Sequence, residues 1–373
     1  MKYMGSKRAM LKNGLGELIE TEIVKRKRFV DLFCGSAAVS WHVAERYPVE
    51  VTAVDIQEYG SILASAILGR NHPYSPNDVF NDWYHAARKF VAEVSPPDIS
   101  EITIKNVDLA RKWCKRQPKG TLIYAYGGHY FSPLQATWIE GFRRNLPEPV
   151  DASSVALAAL ISASSQAAAA PGHTAQPFQP TTTARQFISS AWSKEISSLI
   201  SKSIESLAPR HSKVIGKTVC QDANLFAATL NANDLVFIDP PYSDVQYSRF
   251  YHVLESIAKG SSGIVSGKGR YPSQEFRPRS KYSMKSGSKE SIEDLLKILA
   301  AKKADAILTF PDHQCSNGLS GEYIESFARK HFEVFRKCIS STFSTLGGVS
   351  SSLAGTRSAR QSANELILLL KSN

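Results

Sequence analysis

Val236-Phe-Ile-Asp-Pro-Pro-Tyr-Ser243 is the most informative stretch of this sequence. The apolar run from Leu235 to Ile238 is short and rich in branched and aromatic residues, which predicts a buried β-strand. Two prolines follow Asp239, and since proline has no amide hydrogen to donate to a sheet, the strand must end there. We therefore expect Asp239 and Tyr242 on a stiff loop at the carboxyl end of a strand, which is where open α/β sheets bind ligands.

This loop suits the activation of an aromatic amine, a poor nucleophile because its lone pair is delocalised into the ring. The Asp239 carboxylate and the backbone carbonyl of Pro240 can each accept one hydrogen from such an amine. Pro241 fixes the direction of that carbonyl, and Tyr242 offers a flat face on which a base can stack, worth roughly 1–3 kcal/mol per base. The plainer interpretation is a strand that ends in a Pro-Pro turn without any ligand.

A second informative stretch is Phe29-Val-Asp-Leu-Phe-Cys-Gly-Ser-Ala-Ala-Val39. Its first five residues predict a buried strand, Cys34-Gly-Ser36 predicts a tight turn, and a helix is expected from Ala37. Val49 to Val54 predicts another strand, ending at Asp55, where doubly wound folds place an acidic residue that binds ribose hydroxyls. The three-glycine dinucleotide pattern is absent. The alternatives are thus a nucleotide-like ligand without a pyrophosphate and an ordinary strand–helix turn.

These two stretches resemble the DNA adenine methylases, in which Asp-Pro-Pro-Tyr is the catalytic motif and Phe-x-Gly-x-Gly forms the cofactor turn. This chain has Phe33-Cys-Gly-Ser-Ala37 at the second motif, and Tyr3 and Lys7 match an N-terminal motif of an aromatic followed by Gly-x-Lys. The resemblance implies S-adenosyl-L-methionine as the cofactor. The residues implied to be catalytic are Asp239, Pro240, Pro241 and Tyr242, and those implied to bind the cofactor are Tyr3, Lys7, Asp31, Phe33, Cys34, Gly35, Ser36, Asp55, Ile56 and Asp222.

Two of these cofactor contacts have specific expectations attached. Lys7 is expected near the carboxylate of the cofactor's amino acid half. Asp222 follows the predicted strand Val214–Cys220 and matches the family's position for recognising the cofactor's adenine. It also fits the N-cap of a short helix, and the two roles are compatible.

The composition favours a polyanionic partner, since the formal net charge is +11 and the sequence pI is about 9.3. We see no secretory signal and no apolar run that approaches the length of a membrane span. The five cysteines are scattered without a Cys-x-x-Cys pair, so we expect a reducing cytoplasm, with neither disulfides nor zinc. His129 and His173 lack partners at ligand spacing, and we expect no metal site.

The middle of the chain, from Asn71 to about Lys213, has mostly helical patterns separated by loops rich in aromatic, amide and hydroxyl groups. We interpret it as a helical insertion that recognises DNA, and residues 259–290 as a basic flexible loop that clamps DNA. Packing, solvent exposure or a plain linker are the alternatives. The candidate DNA-binding residues are Tyr130, Gln135, Arg143, Arg144, Gln246, Tyr247, Arg249, Arg270, Arg277, Arg279 and Lys281.

The predicted fold is a doubly wound, Rossmann-like α/β methyltransferase sheet with an antiparallel last strand and a mainly helical inserted recognition domain. Residues 1–70 and 214–373 would form the catalytic domain, and 71–213 the insertion. The predicted function is methyl transfer from S-adenosyl-L-methionine to the N6 amine of an adenine flipped out of double-stranded DNA, by a monomer. The alternatives are N4-cytosine or RNA adenine methylation, a silent DNA-binding module and, remotely, a nicotinamide enzyme. The sequence leaves open the recognition site and whether a restriction endonuclease is a partner.

Overall fold

The computed structural model describes residues 7–344 and 360–372. The chain divides into two compact units. We call Gln57–Ser212 with Ser248–Pro278 the helical unit, and residues 4–56, 213–247 and 279–373, so far as they are described, the sheet unit. Residues 57–70 and 248–278 therefore fall with the helices, whereas the sequence placed them in the catalytic domain. Which unit recognises DNA stays a prediction.

Seven strands form one mixed sheet in the order β3-β2-β1-β4-β7-β9-β8. The five strands from β3 to β7 in that order pair in parallel, while β9 pairs antiparallel with both β7 and β8. The predicted strands are all confirmed as strands of this sheet. Their bounds are β1 Arg28–Asp31, β2 Glu50–Asp55, β3 Lys217–Cys220, β4 Asp234–Ile238, β7 Asp305–Pro311, β8 Phe332–Ser344 and β9 Arg360–Ser372, and a separate hairpin contains β5 Val265–Ser266 and β6 Tyr271–Pro272.

Helices make up most of the remaining described chain. In chain order they are α1 Arg8–Met10, α2 Gly16–Ile23, α3 Ala38–Arg46, α4 Glu58–Leu68, α5 Pro76–Val94, α6 Ile104–Cys114, α7 Leu122–Tyr126, α8 Pro133–Arg144, α9 Val150–Ala167, α10 Arg185–Trp192, α11 Ile196–Leu207, α12 Ala223–Ala227, α13 Tyr247–Phe250, α14 His252–Lys259, α15 Ser288–Ala301 and α16 Gly321–Ala328, with a π-helical segment at Leu11–Leu15 and 3₁₀ turns at Gln274–Phe276 and Lys281–Ser283. None of the helices in the described ranges is long and apolar enough to cross a membrane.

The central strands are apolar on both faces, as a covered parallel sheet requires. Val236 and Ile238 of β4 belong to a core cluster with residues of α12, α15 and α16. Leu235 and Phe237 alternate with them, point to the opposite face and are equally buried. This burial fixes the register of β4 and hence the position of the residue that follows it, Asp239.

The helical unit has its own apolar interior, in which α9 packs against α4 and α11, and α5 packs against α8. The helices predicted between residues 71 and 213 are present there. Residues 259–290, expected to be a flexible loop, contain the β5–β6 hairpin, two 3₁₀ turns and the start of α15.

Candidate active site

Three carboxylates lie where neighbouring parallel strands end, with Asp31 at the end of β1, Asp55 at the end of β2 and Asp239 just after β4. Asp31 is in register with Ala53 of β2 and with Phe237 of β4. The chain order runs outward from β1 in both directions, towards β2 and β3 on one side and β4 and β7 on the other. The carboxyl edge between β1 and β4 is therefore a topological switch point, the usual ligand site of such sheets.

Asp239 is held through one of its two carboxylate oxygens. The Thr309 hydroxyl donates to Oδ1 at 3.0 Å, and the Lys7 ammonium lies 3.0 Å from the same oxygen. Within residues 7–344 and 360–372, Oδ2 has no hydrogen-bond partner. Burial raises the pKa of Asp239 above its ordinary value, and Lys7 opposes that rise. The arrangement fixes the carboxylate and leaves one oxygen able to accept a hydrogen bond.

Lys7 bridges two carboxylates, because its ammonium also donates to Glu365 of β9 at 3.0 Å. Burial lowers the pKa of this ammonium, but Asp239 and Glu365 outweigh it, and the net shift is upward. Lys7 is thus a buried cation at the Asp-Pro-Pro-Tyr loop. Its expected contact with the cofactor carboxylate stays a prediction. Sequence reasoning missed Thr309 and Glu365, although Thr309 is a polar residue inside the apolar run of β7.

The loop after Asp239 is fixed by Asn317, whose side chain is fully buried. Its amide donates to the carbonyl of Pro241 at 2.8 Å and to that of Tyr282 at 3.0 Å. The carbonyl of Pro240 accepts no hydrogen bond from any residue that the structure describes. Tyr242 packs partly buried against the core of the sheet unit, and burial raises the pKa of its hydroxyl. No sequence signal identified Asn317.

The turn between β1 and α3 brings backbone, rather than side chains, to the sheet edge. The Gly35 amide donates to Asp55 Oδ2 at 2.8 Å, and the Cys34 amide donates to the carbonyl of Val54 at 3.0 Å. Gly35 (φ 49°) and Ala37 (φ 60°) both adopt left-handed conformations. This geometry lets a ligand approach the backbone closely. Ala37, buried and left-handed, occupies the position at which the resembled motif has glycine.

Asp31 is buried beneath this turn. Its Oδ2 accepts a 2.6 Å hydrogen bond from the Ser40 hydroxyl. Burial raises the pKa of Asp31 to about 7, although the hydrogen bonds from Ser40 and the Phe33 amide act in the opposite direction. Asp31 therefore stabilises the turn through these two hydrogen bonds.

The other predicted cofactor contacts are distributed along the same edge. Phe33 is half-buried, with its ring centroid 5.0 Å from that of Tyr282 in an edge-to-face contact. Ser36 and Ile56 are half-buried. Asp222 caps α12, since its Oδ1 accepts hydrogen bonds from two backbone amides, which is the capping role that the sequence offered. Tyr3 lies outside the described residues.

Comparison with known protein families places the chain in one of them. The family model for D12 class N6 adenine-specific DNA methyltransferases matches residues 3–95 and 163–307, which is more than half of the chain. The chain belongs to this family. The resemblance predicted from the two motifs is therefore confirmed. Thr309, Asn317 and Glu365 lie outside the matched residues.

A curated relative gives a second, shorter match. Modification methylase LlaI of Lactococcus lactis subsp. lactis is 43% identical to this chain over 67 residues, which cover 18% of the chain. The match spans about a tenth of the length of that relative. In the described ranges, no group of three or more His, Cys, Asp or Glu side chains is placed to hold a metal ion.

Several candidate DNA-binding residues of this family member hold the helical unit together. The Tyr130 hydroxyl, in a fully buried side chain, donates to the carbonyl of Thr174 at 2.7 Å. Gln135 is also buried, where it completes the capping box of α8 and donates to two carbonyls beyond it. Arg143 and Arg270 donate to backbone carbonyls at the ends of α14 and α7. In this conformation Tyr130 and Gln135 present no surface to a partner.

The remaining candidates are more accessible. Arg249 and Arg277 stack on the ring of Tyr271, with guanidinium carbons 5.1 and 5.5 Å from its centroid. Arg144 is exposed and pairs with Glu140. Of the others, Arg279 and Lys281 are exposed, Tyr247 is half-buried, and the Gln246 amide is bonded to the backbone of Ser280 and Ser283.

Proposed function

We propose that this protein transfers a methyl group from S-adenosyl-L-methionine to the N6 amine of an adenine in double-stranded DNA. The observation that carries the proposal is the state of Asp239, which is fixed through Oδ1 while Oδ2 accepts no bond from the described chain. The adjacent carbonyl of Pro240 is likewise unbonded within the described residues. Two acceptors on a rigid loop match the two hydrogens of an aromatic amine.

The chain's own residues would then activate the amine by position. Asp239 Oδ2 and the Pro240 carbonyl each accept one N–H, which directs the nitrogen lone pair away from the base ring. Tyr242 stacks on the base, and Asn317 holds the loop so that both acceptors keep their direction. The base must leave the duplex first, which costs a few kcal/mol. Holding the reacting atoms near contact distance then supplies much of the rate enhancement.

The edge between β1 and β2 fits the cofactor. Its left-handed turn at Gly35 brings backbone close to a ligand, and the half-exposed Asp55 carboxylate suits ribose hydroxyls. The residues that would hold the group are Lys7, Phe33, Cys34, Gly35, Ser36, Asp55, Ile56 and Asp222, above the buried Asp31. When bound, the cofactor supplies an electrophilic methyl on a sulfonium. Lys7 would balance the charge of the cofactor's carboxylate.

The proposal extends to the architecture. The seven-stranded sheet with its antiparallel β9 would be the Rossmann-like methyltransferase sheet, and the helical unit the inserted target-recognition domain. The similarity to a modification methylase supports a role in modifying DNA. The formal charge of +11 suits a DNA substrate.

The test uses the full-length protein, labelled S-adenosyl-L-methionine and unmodified duplex DNA digested to nucleosides. We expect label in N6-methyladenine. Asp239→Asn should reduce transfer by about a hundred- to a thousandfold, because the amine loses its charged acceptor, while cofactor binding stays close to wild type. The control is Asp244→Asn, an exposed aspartate five residues further on, which should leave transfer unchanged. Label in cytosine, or transfer undiminished in Asp239→Asn, would overturn the proposal.

A further inference from the structure

Helix α6 and the turn after it form a strongly basic exposed surface in the helical unit. Residues 104–120 contain six basic side chains and a single acidic one, Asp108. Of the six, Arg111 is half-buried and pairs with Asp108 at 3.9 Å. The other five, which we call the α6 cations, are exposed: Lys105, Lys112, Lys115, Arg116 and Lys119.

Two of the α6 cations share one side of the helix. Lys105, Leu109 and Lys112 follow one another at intervals of four and three residues within α6, and Leu109 is 52% exposed between the two lysines. At a rise of about 1.5 Å per residue, Lys105 and Lys112 lie about 10 Å apart along the helix. Lys115, Arg116 and Lys119 follow directly after the helix ends at Cys114. Within residues 7–344 and 360–372, no carboxylate forms an ion pair with any of the α6 cations.

The opposite face of α6 is firmly anchored. Val107 and Ala110 lie in an apolar cluster with Trp192. Arg111 Nε donates to the carbonyl of Gly128 at 3.0 Å, and a Cβ at Gly128 would come within 2.9 Å of the Arg111 backbone. Because the helix backbone is held so closely, the cations project from a rigid support, which lowers the entropic cost of binding.

The positive charge of this region also lowers the pKa of a neighbouring histidine, His129. Burial and, after it, the charges of Arg111, Arg270 and Lys115 together lower the pKa of His129 to about 3. A contribution to helix stability does not explain why the cations are placed along α6. Cations near its C-terminus favour the helix dipole, but Lys105 lies in the first turn, which has no acidic residue, and a cation there is unfavourable.

We propose that the α6 cations bind the phosphates of DNA and form a contact surface additional to the family's motifs. The surface lies in residues 96–162, which the family model does not match. Lysine and arginine on a rigid helix and the turn after it suit phosphate oxygens, and the exposed Leu109 suits the sugar edges between them. The inference rests on the proposed function for its choice of DNA as the polyanion.

The decisive variant combines Lys105→Gln, Lys112→Gln and Arg116→Gln in the full chain. The control combines Lys25→Gln, Lys27→Gln and Lys302→Gln, which removes the same charge from exposed positions of the sheet unit. Binding to a random-sequence duplex is measured across a salt series. We expect the α6 variant to bind about ten- to a hundredfold more weakly at low salt, with a salt slope shallower by about 2–3. The control should have the DNA affinity and the salt slope of the wild type.

Measuring methyl transfer distinguishes a failure of the α6 surface from a failure of the proposed function. In the α6 variant, KM for DNA should rise while kcat at saturating DNA stays unchanged. Unchanged affinity and salt slope, or an equal loss in the control, would overturn the α6 surface even if the wild type methylates adenine. A wild type that binds DNA but methylates no adenine would overturn the proposed function, and the binding comparison would still decide the role of α6.

Discussion

Asn317 is the residue on which the shape of the Asp-Pro-Pro-Tyr loop depends, although it is 76 positions from Pro241 in sequence. Asn317→Ala would leave the carbonyls of Pro241 and Tyr282 buried without a donor, which costs about 2 kcal/mol. Because the loop loses its support, kcat should fall by roughly tenfold or more while KM for the cofactor stays unchanged. Chemical denaturation and steady-state kinetics measure the two effects.

A matched control distinguishes a positioning role from general destabilisation. The Asn224 amide group, in the same unit, donates to the carbonyl of Ser291 at 2.9 Å and accepts a hydrogen bond from the Tyr282 hydroxyl; neither bond is made to the Asp-Pro-Pro-Tyr loop. Asn224→Ala should therefore lower stability without a comparable fall in kcat. Parallel losses of activity in both variants would show that Asn317 only stabilises the fold.

Asp31 links stability to pH. Burial raises its pKa to about 7, whereas an aspartate in the unfolded chain titrates near 4. Between these values the folded protein retains a proton that the unfolded chain releases, so raising the pH lowers the free energy of unfolding. From about pH 4 to pH 8, the wild-type free energy of unfolding should fall relative to that of Asp31→Asn by up to roughly 4 kcal/mol. A pH-independent difference in denaturation experiments would contradict this.

At the level of single residues, the sequence predicted where the carboxylates of the site lie along their strands, but not which side chains they bond to. Asp31, Asp55 and Asp239 were predictable because each follows a short apolar run whose end can be located. The partners of Asp239 were not, because Lys7 and Thr309 come from distant parts of the sequence and meet it only in the folded chain. Tyr130 and Gln135 looked like polar surface groups, and only the packing of the helical unit shows that they are buried.

Among the elements, the turn from β1 to α3 carries a measurable strain. Ala37 is left-handed at φ 60° and caps α3, which costs an L-residue about 1–2 kcal/mol. Ala37→Gly relieves this strain and should change the free energy of unfolding by less than about 1 kcal/mol. Ala38→Gly, inside the first turn of the helix, lacks that relief and should cost about 1 kcal/mol or more. Equal destabilisation of the two variants, measured by denaturation, would refute the strain.

Element boundaries show where periodicity alone fails. Apolar residues at helical spacing from Met10 to Val24 predict one helix, but the left-handed Gly14 (φ 100°) interrupts it. The spacing from Arg185 to Ala208 likewise predicts one helix, where the structure has α10 and α11. The Glu195 carboxylate accepts hydrogen bonds from the hydroxyls of Ser197 and Ser198 at the start of α11. The break between the two helices does not change the apolar spacing, so periodicity alone does not reveal it.

At the level of the whole molecule, the chain passes between its two units repeatedly. The sheet unit is assembled from three separate parts of the sequence, and the helical unit from Gln57–Ser212 and Ser248–Pro278. Sequence reasoning found the larger helical segment because its composition changes, but it did not assign residues 248–278 to that unit. Their basic residues suggested a loop, whereas Tyr271 and Arg270 bond within the helical unit.

This architecture predicts that cofactor binding and catalysis can be separated within one folded chain. S-adenosyl-L-methionine at a hundred times its Kd should raise the free energy of unfolding by about 2.7 kcal/mol. Asp239→Asn should retain that stabilisation, because in the proposed mechanism its carboxylate serves the amine. Asp55→Asn should lose most of it at the same concentration, since Asp55 also holds the Gly35 amide at the cofactor turn.

Thermal unfolding of the three proteins, each with and without S-adenosyl-L-methionine, measures these differences. The ligand-free curves give the structural cost of each substitution, so that the loss of the Gly35 hydrogen bond in Asp55→Asn is not mistaken for loss of binding. If Asp239→Asn loses the stabilisation as completely as Asp55→Asn, then Asp239 holds the cofactor. The unbonded oxygen of Asp239 would then have a different role from the one proposed.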